Sequence, residues 1–465
     1  MRFDFSGCLK QKTMKNLTLS FITQTLGIPA PAADAPIGHI TTDSRQARAG
    51  DLFVALVGEK HDAHDFVPDV LAKGAFALVS RPDCAALAGC LKTDDTLHAL
   101  QTLAAAWRQR IKPFVFGITG SSGKTTVKEM LATILRHTFG ADAVLATAGN
   151  FNNHIGLPLT LLNLRENHRY AVIEMGMNHA GELAQLTRIA RPDAALVNNA
   201  MRAHIGCGFD GVDDIARAKS EIYQGLSGTA VLPAEDARLP LFQAAASAFA
   251  QISFGAEAGD VHAENLRLLA NGSEFDLACG AERAAVRLPA PGLHNVRNAA
   301  AAAALARCAG VSLAQCAAGL QHFATIGGRL QFKNGIRGAS VIDDSYNANP
   351  DSMKAAVDVL AAQPAPRVLV MGDMGELGEA EAAAMHAEVG AYARSQGIEA
   401  AYFLGHHSAA AAEAFGAAGL WFADADPLIQ VLTHDLPNGA SVLVKGSRFM
   451  KMERIAGALA DVQAA

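Results

Sequence analysis

The sequence predicts an α/β protein of three domains. A short extension (1–13) precedes a smaller N-terminal α/β region (14–88). A central parallel sheet with covering helices, built around a phosphate loop, follows (89–324), and then a C-terminal Rossmann-like α/β region (325–465). Three observations carry this reading. The 465 residues are too many for one hydrophobic core. Strand-like and helix-like segments alternate from the middle of the chain onward, the pattern of a parallel sheet covered by helices. A glycine-rich loop, Gly117-Ile118-Thr119-Gly120-Ser121-Ser122-Gly123-Lys124-Thr125-Thr126, lies between an apolar run and a helical one.

In the first region the pattern predicts a helix over 19–26, a turn-rich stretch around Pro29, and strands over 51–56 and 75–79. A helix over 96–110 leads into a buried strand over 113–118. Residues 124–136 carry Val127, Met130, Leu131, Ile134 and Leu135 at helical spacing. Further strands are expected over 170–174 and 194–198, with an alanine-rich helix from 297. The third region repeats the pattern with strands over 339–342, 367–371, 401–404 and 441–444 and a helix over 379–396.

Composition narrows the function classes. Half of the residues are hydrophobic, 18% are charged and the net charge is −6, so no general attraction to nucleic acid or anionic membrane is expected. Seven cysteines without Cys-x-x-Cys spacing argue against a disulfide framework or a zinc site and fit a reduced cytoplasm. No apolar run approaches the ~18 residues of a membrane span. Residues 1–13 lack a signal peptide's apolar centre, and Met14 is an alternative start. A cytoplasmic monomer is the expectation.

The loop points to a nucleoside triphosphate. Backbone N–H groups of Gly117, Gly120, Ser121, Ser122, Gly123, Lys124, Thr125 and Thr126 would cradle phosphates at a helix N-terminus. Lys124 would reach the β- and γ-phosphates, and the Thr125 hydroxyl would hold Mg²⁺. The common form of this loop has glycine where Ile118 stands.

Polar residues recur at strand ends, where open α/β sheets bind ligands. Glu174 ends one strand and suits a metal. Asn198-Asn199 ends the next, with His204 soon after. Asp343-Asp344 ends another. Asn295 and Asn298 open the alanine-rich helix, and Arg329 sits in a glycine turn from which a guanidinium could reach a γ-phosphate. Each also has a plain reading: a satisfied core histidine, aspartates and asparagines as helix caps, a solvated arginine.

Taken in order, these words resemble the Mur ligase family over nearly the whole chain. The family's Gly-x-x-Gly-x-x-Gly-Lys-Thr loop accounts for the glycine at 117. Glu174, His204, Lys219, Asn295, Asn298, Arg329 and the pair Asp343-Asp344 stand in the family's order. Thr42-Asp43-Ser44-Arg45, Asn150 through Pro158, Asp344 through Ser352, Met371 through Gly378 and Val444 through Arg448 are similar to the branch whose amine substrate is D-Ala-D-Ala. Ala63 and Pro233 depart from the pattern, away from the phosphate and metal positions.

The resemblance implies an ATP-dependent amide ligase acting on UDP-N-acetylmuramoyl-tripeptide and D-Ala-D-Ala through an acyl phosphate. It implies catalytic roles for Lys124, His204, Lys219, Arg329 and Asp344. Asn295, Asn298, Arg329 and Asp343 would contact ATP. Two Mg²⁺ would be held by Thr125, Glu174, His204 and a carbamate on Lys219. Ser44, Arg45, Asn150, Asn153, Asn347, Asn349 and Arg448 would contact substrates. The alternatives are a family ligase adding the third residue, a folylpolyglutamate-synthase-like ligase, and, in another class, a nucleotide-hydrolysing switch.

Overall fold

The computed structural model describes residues 17–30, 33–206 and 208–461. The extension expected over 1–13 lies outside them. Three sheets organise the rest.

The first sheet is parallel, in the order β1 (Ile40–Thr41), β2 (Leu52–Val54), β3 (Phe76–Val79), β4 (Cys90–Lys92). β4 pairs with β3 from Ala77↔Cys90 to Val79↔Lys92, so the expected boundary at 88 would cut a strand from its sheet. The short apolar content of β4 hid it. Helix Leu19–Leu26 opens on an N-cap, with Phe21 N donating to Thr18 Oγ1, and closes on Gly27 at φ 64. Its Leu19 and Ile22 share one core with Leu100, Leu103 and Trp107 of helix Thr96–Ile111 and with Val115 and Ile173 beyond. The first sheet is thereby seated on the helix that leads into the phosphate loop.

The central sheet has nine strands: β5 (Phe114–Thr119), β6 (Val144–Ala146), β7 (Tyr170–Glu174), β8 (Ala194–Val197), β9 (Thr229–Pro233), β10 (Ala250–Phe254), β11 (Val261–Leu269), β12 (Gly272–Cys279) and β13 (Glu282–Leu288). Their order is β13-β12-β11-β10-β9-β8-β5-β7-β6. Pairing is parallel from β6 to β11, and β11-β12-β13 is an antiparallel extension that the expectation of a parallel sheet did not include. Only residues 270–271 and 280–281 separate these last strands, and so short a link permits only antiparallel pairing. β5, β7 and β8 are buried along nearly their whole length, as strands covered on both faces must be.

Helix Leu293–Cys308 packs into this unit with Ala299 through Ala304 and Ala306 at 0% exposure. Side chains this small let it lie close against helix Lys124–Phe139 and several strands at once.

The third sheet runs β14-β15-β19-β16-β17-β18. β14 (Gln331–Asn334) is antiparallel to β15 (Ser340–Asp344); β16 (Arg367–Gly372), β17 (Ala400–Leu404), β18 (Gly419–Phe422) and β19 (Ser441–Lys445) continue in parallel. The register sets Asp344 beside Lys445 at the carboxyl ends of β15 and β19. A cleft of about 500 Å³ is lined by residues following β5, β7 and β8 and by residues at these two strand ends.

Candidate active site

The phosphate loop begins where β5 ends and closes at Gly123, whose φ is 77. A Cβ at Gly123 would lie 2.5 Å from Asn198 Nδ2 and 2.6 Å from Asn298 Oδ1, so only glycine fits. Asn198 Nδ2 donates to Ser122 O (2.9 Å) and to Asn298 Oδ1 (3.0 Å). Asn298 Nδ2 donates to Asn295 Oδ1 (3.3 Å), and Asn295 Nδ2 to Pro291 O (2.8 Å). The two helix asparagines border the cleft, and their visible work is to brace the loop through Asn198. Asn199 Oδ1 also accepts from Ser122 N (2.9 Å). Lys124 Nζ donates to Gly120 O (2.7 Å), and burial lowers its pKa while the Glu174 carboxylate opposes that shift.

Gly117 does not join this loop. It lies inside β5 opposite Ile173 and Ala195, where a Cβ would press within 3.2 Å of Met175 Cε and 3.3 Å of Pro192. Its smallness serves packing, and it does not line the cleft, which residues 121–126 of the loop border.

Behind the loop, Thr125 Oγ1 donates to Glu174 Oε2 (2.8 Å) and accepts from Arg329 Nη2 (2.9 Å). Asn152 Nδ2 holds the other Glu174 oxygen at 2.8 Å. Arg329 arrives from the C-terminal unit and lies 4.1 Å from the Tyr346 ring centroid, a stacking that directs its fork into the cleft. One hydroxyl and one carboxylate so placed fit a Mg²⁺ that completes its shell with phosphate oxygens and water. No group of three or more His, Cys, Asp or Glu side chains that could hold a metal ion occurs among the described residues.

His204 and Lys219 stand nearby. Burial, reinforced by the Lys219 and Lys124 charges, pushes the His204 pKa down to about 4, which keeps an imidazole lone pair free at neutral pH. Its Nδ1 is 3.2 Å from Glu376 Oε2. Both residues have positive φ, 64 and 60, a backbone state held only by its surroundings. Lys219 is 2% exposed, and burial followed by the like charge of Lys124 drives its pKa well below the lysine range.

The aspartate pair is split. Asp344 enters the main cleft, accepting from Lys445 Nζ (2.5 Å) and Leu330 N (3.0 Å). Asp343 is committed to Lys333 Nζ (2.5 Å) and Ser345 Oγ (2.6 Å) and borders a separate groove, so its expected nucleotide contact is not supported.

Asn150, Asn153, Asn347, Asn349 and Arg448 all border the main cleft. Asn153 Oδ1 and Asn349 Oδ1 are occupied as caps, accepting from Gly156 N and Ser352 N at 2.8 Å each. Ser44 and Arg45 do not reach this cleft. They lie in the first unit, where the guanidinium is bound bidentately by Asp43 (2.8 Å each) and Ser44 O accepts from Lys73.

Three residues of the site had been given no individual role in the sequence: Asn198, Asn152 and Glu376. For Asn198 a signal existed in its place at a strand end. For the other two the contacts are made only by folding.

Residues 118–306 match the family model described as the Mur ligase middle domain, and residues 328–448 match that of the Mur ligase, glutamate ligase domain. The chain is 43% identical over 455 residues to UDP-N-acetylmuramoyl-tripeptide--D-alanyl-D-alanine ligase of Escherichia coli, covering 96% of this chain and 99% of the relative. The Haemophilus influenzae enzyme of the same name is 42% identical over 435 residues, covering 91% and 94%. A crystal structure of MurF from Acinetobacter baumannii superposes with a TM-score of 0.87 at 39% identity, covering 95% of this chain and 98% of that one. MurF from Thermotoga maritima in complex with ADP gives 0.80 at 26%, covering 90% and 96%.

Proposed function

The chain belongs to the Mur ligase family, and we propose on that premise how its residues carry the reaction. It is an ATP-dependent ligase that joins D-Ala-D-Ala to UDP-N-acetylmuramoyl-tripeptide in peptidoglycan precursor synthesis, giving ADP and phosphate. No helix among the described residues is long and apolar enough to cross a membrane.

A carboxylate is a poor electrophile. A carboxylate oxygen of the tripeptide attacks the γ-phosphorus of ATP, ADP leaves, and an acyl phosphate results. The dipeptide amine then attacks the acyl carbon, loses a proton, and phosphate departs. In the first step negative charge spreads over the γ-phosphoryl oxygens, and fixed cations are the chief means of stabilising it. We assign that role to Lys124 and Arg329. The observation that carries this assignment is the 2.9 Å contact of Arg329 Nη2 with Thr125 Oγ1, which brings a cation of the C-terminal unit to the phosphate seat of the central one.

Thr125 and Glu174 would hold one Mg²⁺. Glu174, His204 and a carbamate on Lys219 would hold a second. Magnesium bound there would supply positive charge to neutralise the phosphate and carboxylate oxygens. Burial shifts Lys219 toward the neutral amine, the form that adds CO₂, and a carbamate there would supply an anionic oxygen ligand; the lowered pKa of Lys219 supports this reading. Asp344, fixed by Lys445, suits the ribose hydroxyls or the incoming amine. Asn347, Asn349 and Arg448 suit the dipeptide, whose carboxylate matches the guanidinium. Ser44 and Arg45 suit the UDP end in the first unit.

The deciding experiment measures ATP turnover with UDP-N-acetylmuramoyl-tripeptide and D-Ala-D-Ala added singly and together. Turnover only with both is expected. Turnover indifferent to the dipeptide would favour the nucleotide-switch alternative.

A further inference from the structure

The segment from Asn198 to Gly206 leaves β8 and runs between the phosphate loop and the C-terminal unit. On its loop side, Asn199 O accepts from Ser121 N (3.2 Å), and Met201 exchanges two bonds with Ser121, N to Oγ at 3.0 Å and Oγ to O at 3.3 Å. On its other side, Arg202 makes five hydrogen bonds to two carboxylates. Its backbone N donates to Asp351 Oδ2 (3.0 Å), and Nε (3.1 Å) and Nη2 (2.6 Å) donate to Asp351 Oδ1. Nη1 (2.7 Å) and Nη2 (3.2 Å) donate to Glu388. Asp351 lies in the first turn of helix Pro350–Ala361 and Glu388 on helix Glu379–Ser395, with Lys354 also on Glu388. Gly378 N donates to Ile205 O (2.7 Å) a few residues on.

We propose that Arg202 is a positioning residue: by clasping Asp351 and Glu388 it ties the seating of the C-terminal unit to the placement of Ser121 in the nucleotide loop. The geometry favours this over a chance surface pair. Arginine's planar fork engages both carboxylates at once, and the same residue's backbone N–H joins in, so sliding of either helix breaks several bonds together. The three side chains are 25%, 30% and 39% exposed, partly shielded from solvent and from screening by salt. The adjoining residue, Met201, is the one bound to Ser121. A seated C-terminal unit therefore fixes Ser121, a loop residue that lines the cleft, and nucleotide bound there would stabilise the seated arrangement in return. The ligase reading enters only in naming the step that is tuned.

The test compares Arg202→Met, Arg202→Lys and the pair Asp351→Asn/Glu388→Gln with and without Arg202→Met. ADP affinity is read by calorimetry, ligand-free shape by small-angle X-ray scattering, and KM for ATP against kcat by steady-state assay. Arg202→Met should weaken ADP binding about tenfold, raise KM for ATP more than it lowers kcat, and enlarge the ligand-free particle. Arg202→Lys, keeping charge without the fork, should fall between. In the Asp351→Asn/Glu388→Gln background Arg202→Met should add little. Unchanged ADP affinity and scattering in Arg202→Met, with an unaltered thermal midpoint, would overturn the proposal, as would a penalty equally large in the double background. Neither ADP binding nor scattering requires ligation, so absence of dipeptide-dependent turnover in the unmodified enzyme would count against the ligase reading alone.

Discussion

Replacing Gly206 with alanine should hold the C-terminal unit off the central one without altering any residue that borders the cleft. Gly206 has φ 76, and a Cβ there would stand 2.5 Å from Gly378 Cα and 2.8 Å from Gly378 N. An L-residue in this region costs about 1–2 kcal/mol. Carbon atoms sit ordinarily about 3.5–4 Å apart, so the two backbones must separate by roughly 1 Å. That displacement sacrifices the 2.7 Å bond from Gly378 N to Ile205 O, worth about 0.5–1.5 kcal/mol net. Together these penalise the docked arrangement by about 1.5–3.5 kcal/mol, which corresponds to roughly 10- to 400-fold in its population relative to the undocked one. The assay is kcat/KM for ATP with both co-substrates saturating, beside scattering of the ligand-free enzyme. Gly310→Ala is the control, since its φ is 77 with nothing within 4 Å of the added Cβ. It should lower stability by about 1 kcal/mol and leave kcat/KM alone. A Gly206→Ala enzyme within threefold of the unmodified kcat/KM would refute the argument that this backbone approach is needed for turnover.

Arg329→Met should lower kcat by about 10²–10³ with little change in KM for the UDP-tripeptide, because the guanidinium acts on charge that grows in the transition state; a rise confined to KM would remove it from that role. Enzyme equilibrated with ¹³C-bicarbonate should show a carbamate carbon resonance that is absent in Lys219→Met, and identical spectra would dismiss the modification. The pKa of His204 is lowered on folding to about 4 from 6.5, so the unfolded chain binds the extra proton first. This contribution is fully present above pH 6.5 and is lost as pH falls toward 4, by up to about 3 kcal/mol. Urea denaturation of the ligand-free enzyme at pH 7 and pH 4.5 should show this loss, and His204→Gln should diminish it; an undiminished pH dependence in that variant would assign the effect elsewhere.

The parts of this molecule that were legible in the sequence are those where one physical cause acts alone. β5, β7 and β8 are covered on both faces and so read as unbroken apolar runs. β12 mixes buried and half-buried positions and β13 adds exposed ones, with Glu282, Arg283 and Arg287 facing water, and no such run marks them. The strand period of two could have separated Asp343 from Asp344, since neighbouring strand residues face opposite ways and only one can enter the cleft. Arg329 and Glu174 stood out by their places in a glycine turn and at a strand end, although the arginine also had a plain solvated reading; folding brings both to Thr125. Arg202 was not, since its partner Asp351 lies 149 residues away and only folding brings them together. Gly117 belongs to the phosphate-loop word yet lies inside β5, since a glycine of such a loop and a glycine needed for packing look alike in sequence.

The alanine-rich helix carries a consequence for rigidity. Alanine surrenders no rotamer freedom on burial, so the stretch from Ala299 to Ala304 is ordered at little side-chain entropic cost. With no side-chain torsions to change there, this helix has few ways to yield. Asn295 and Asn298, carried on its first turns, inherit that stiffness, so the amides that brace the loop are held before any nucleotide arrives.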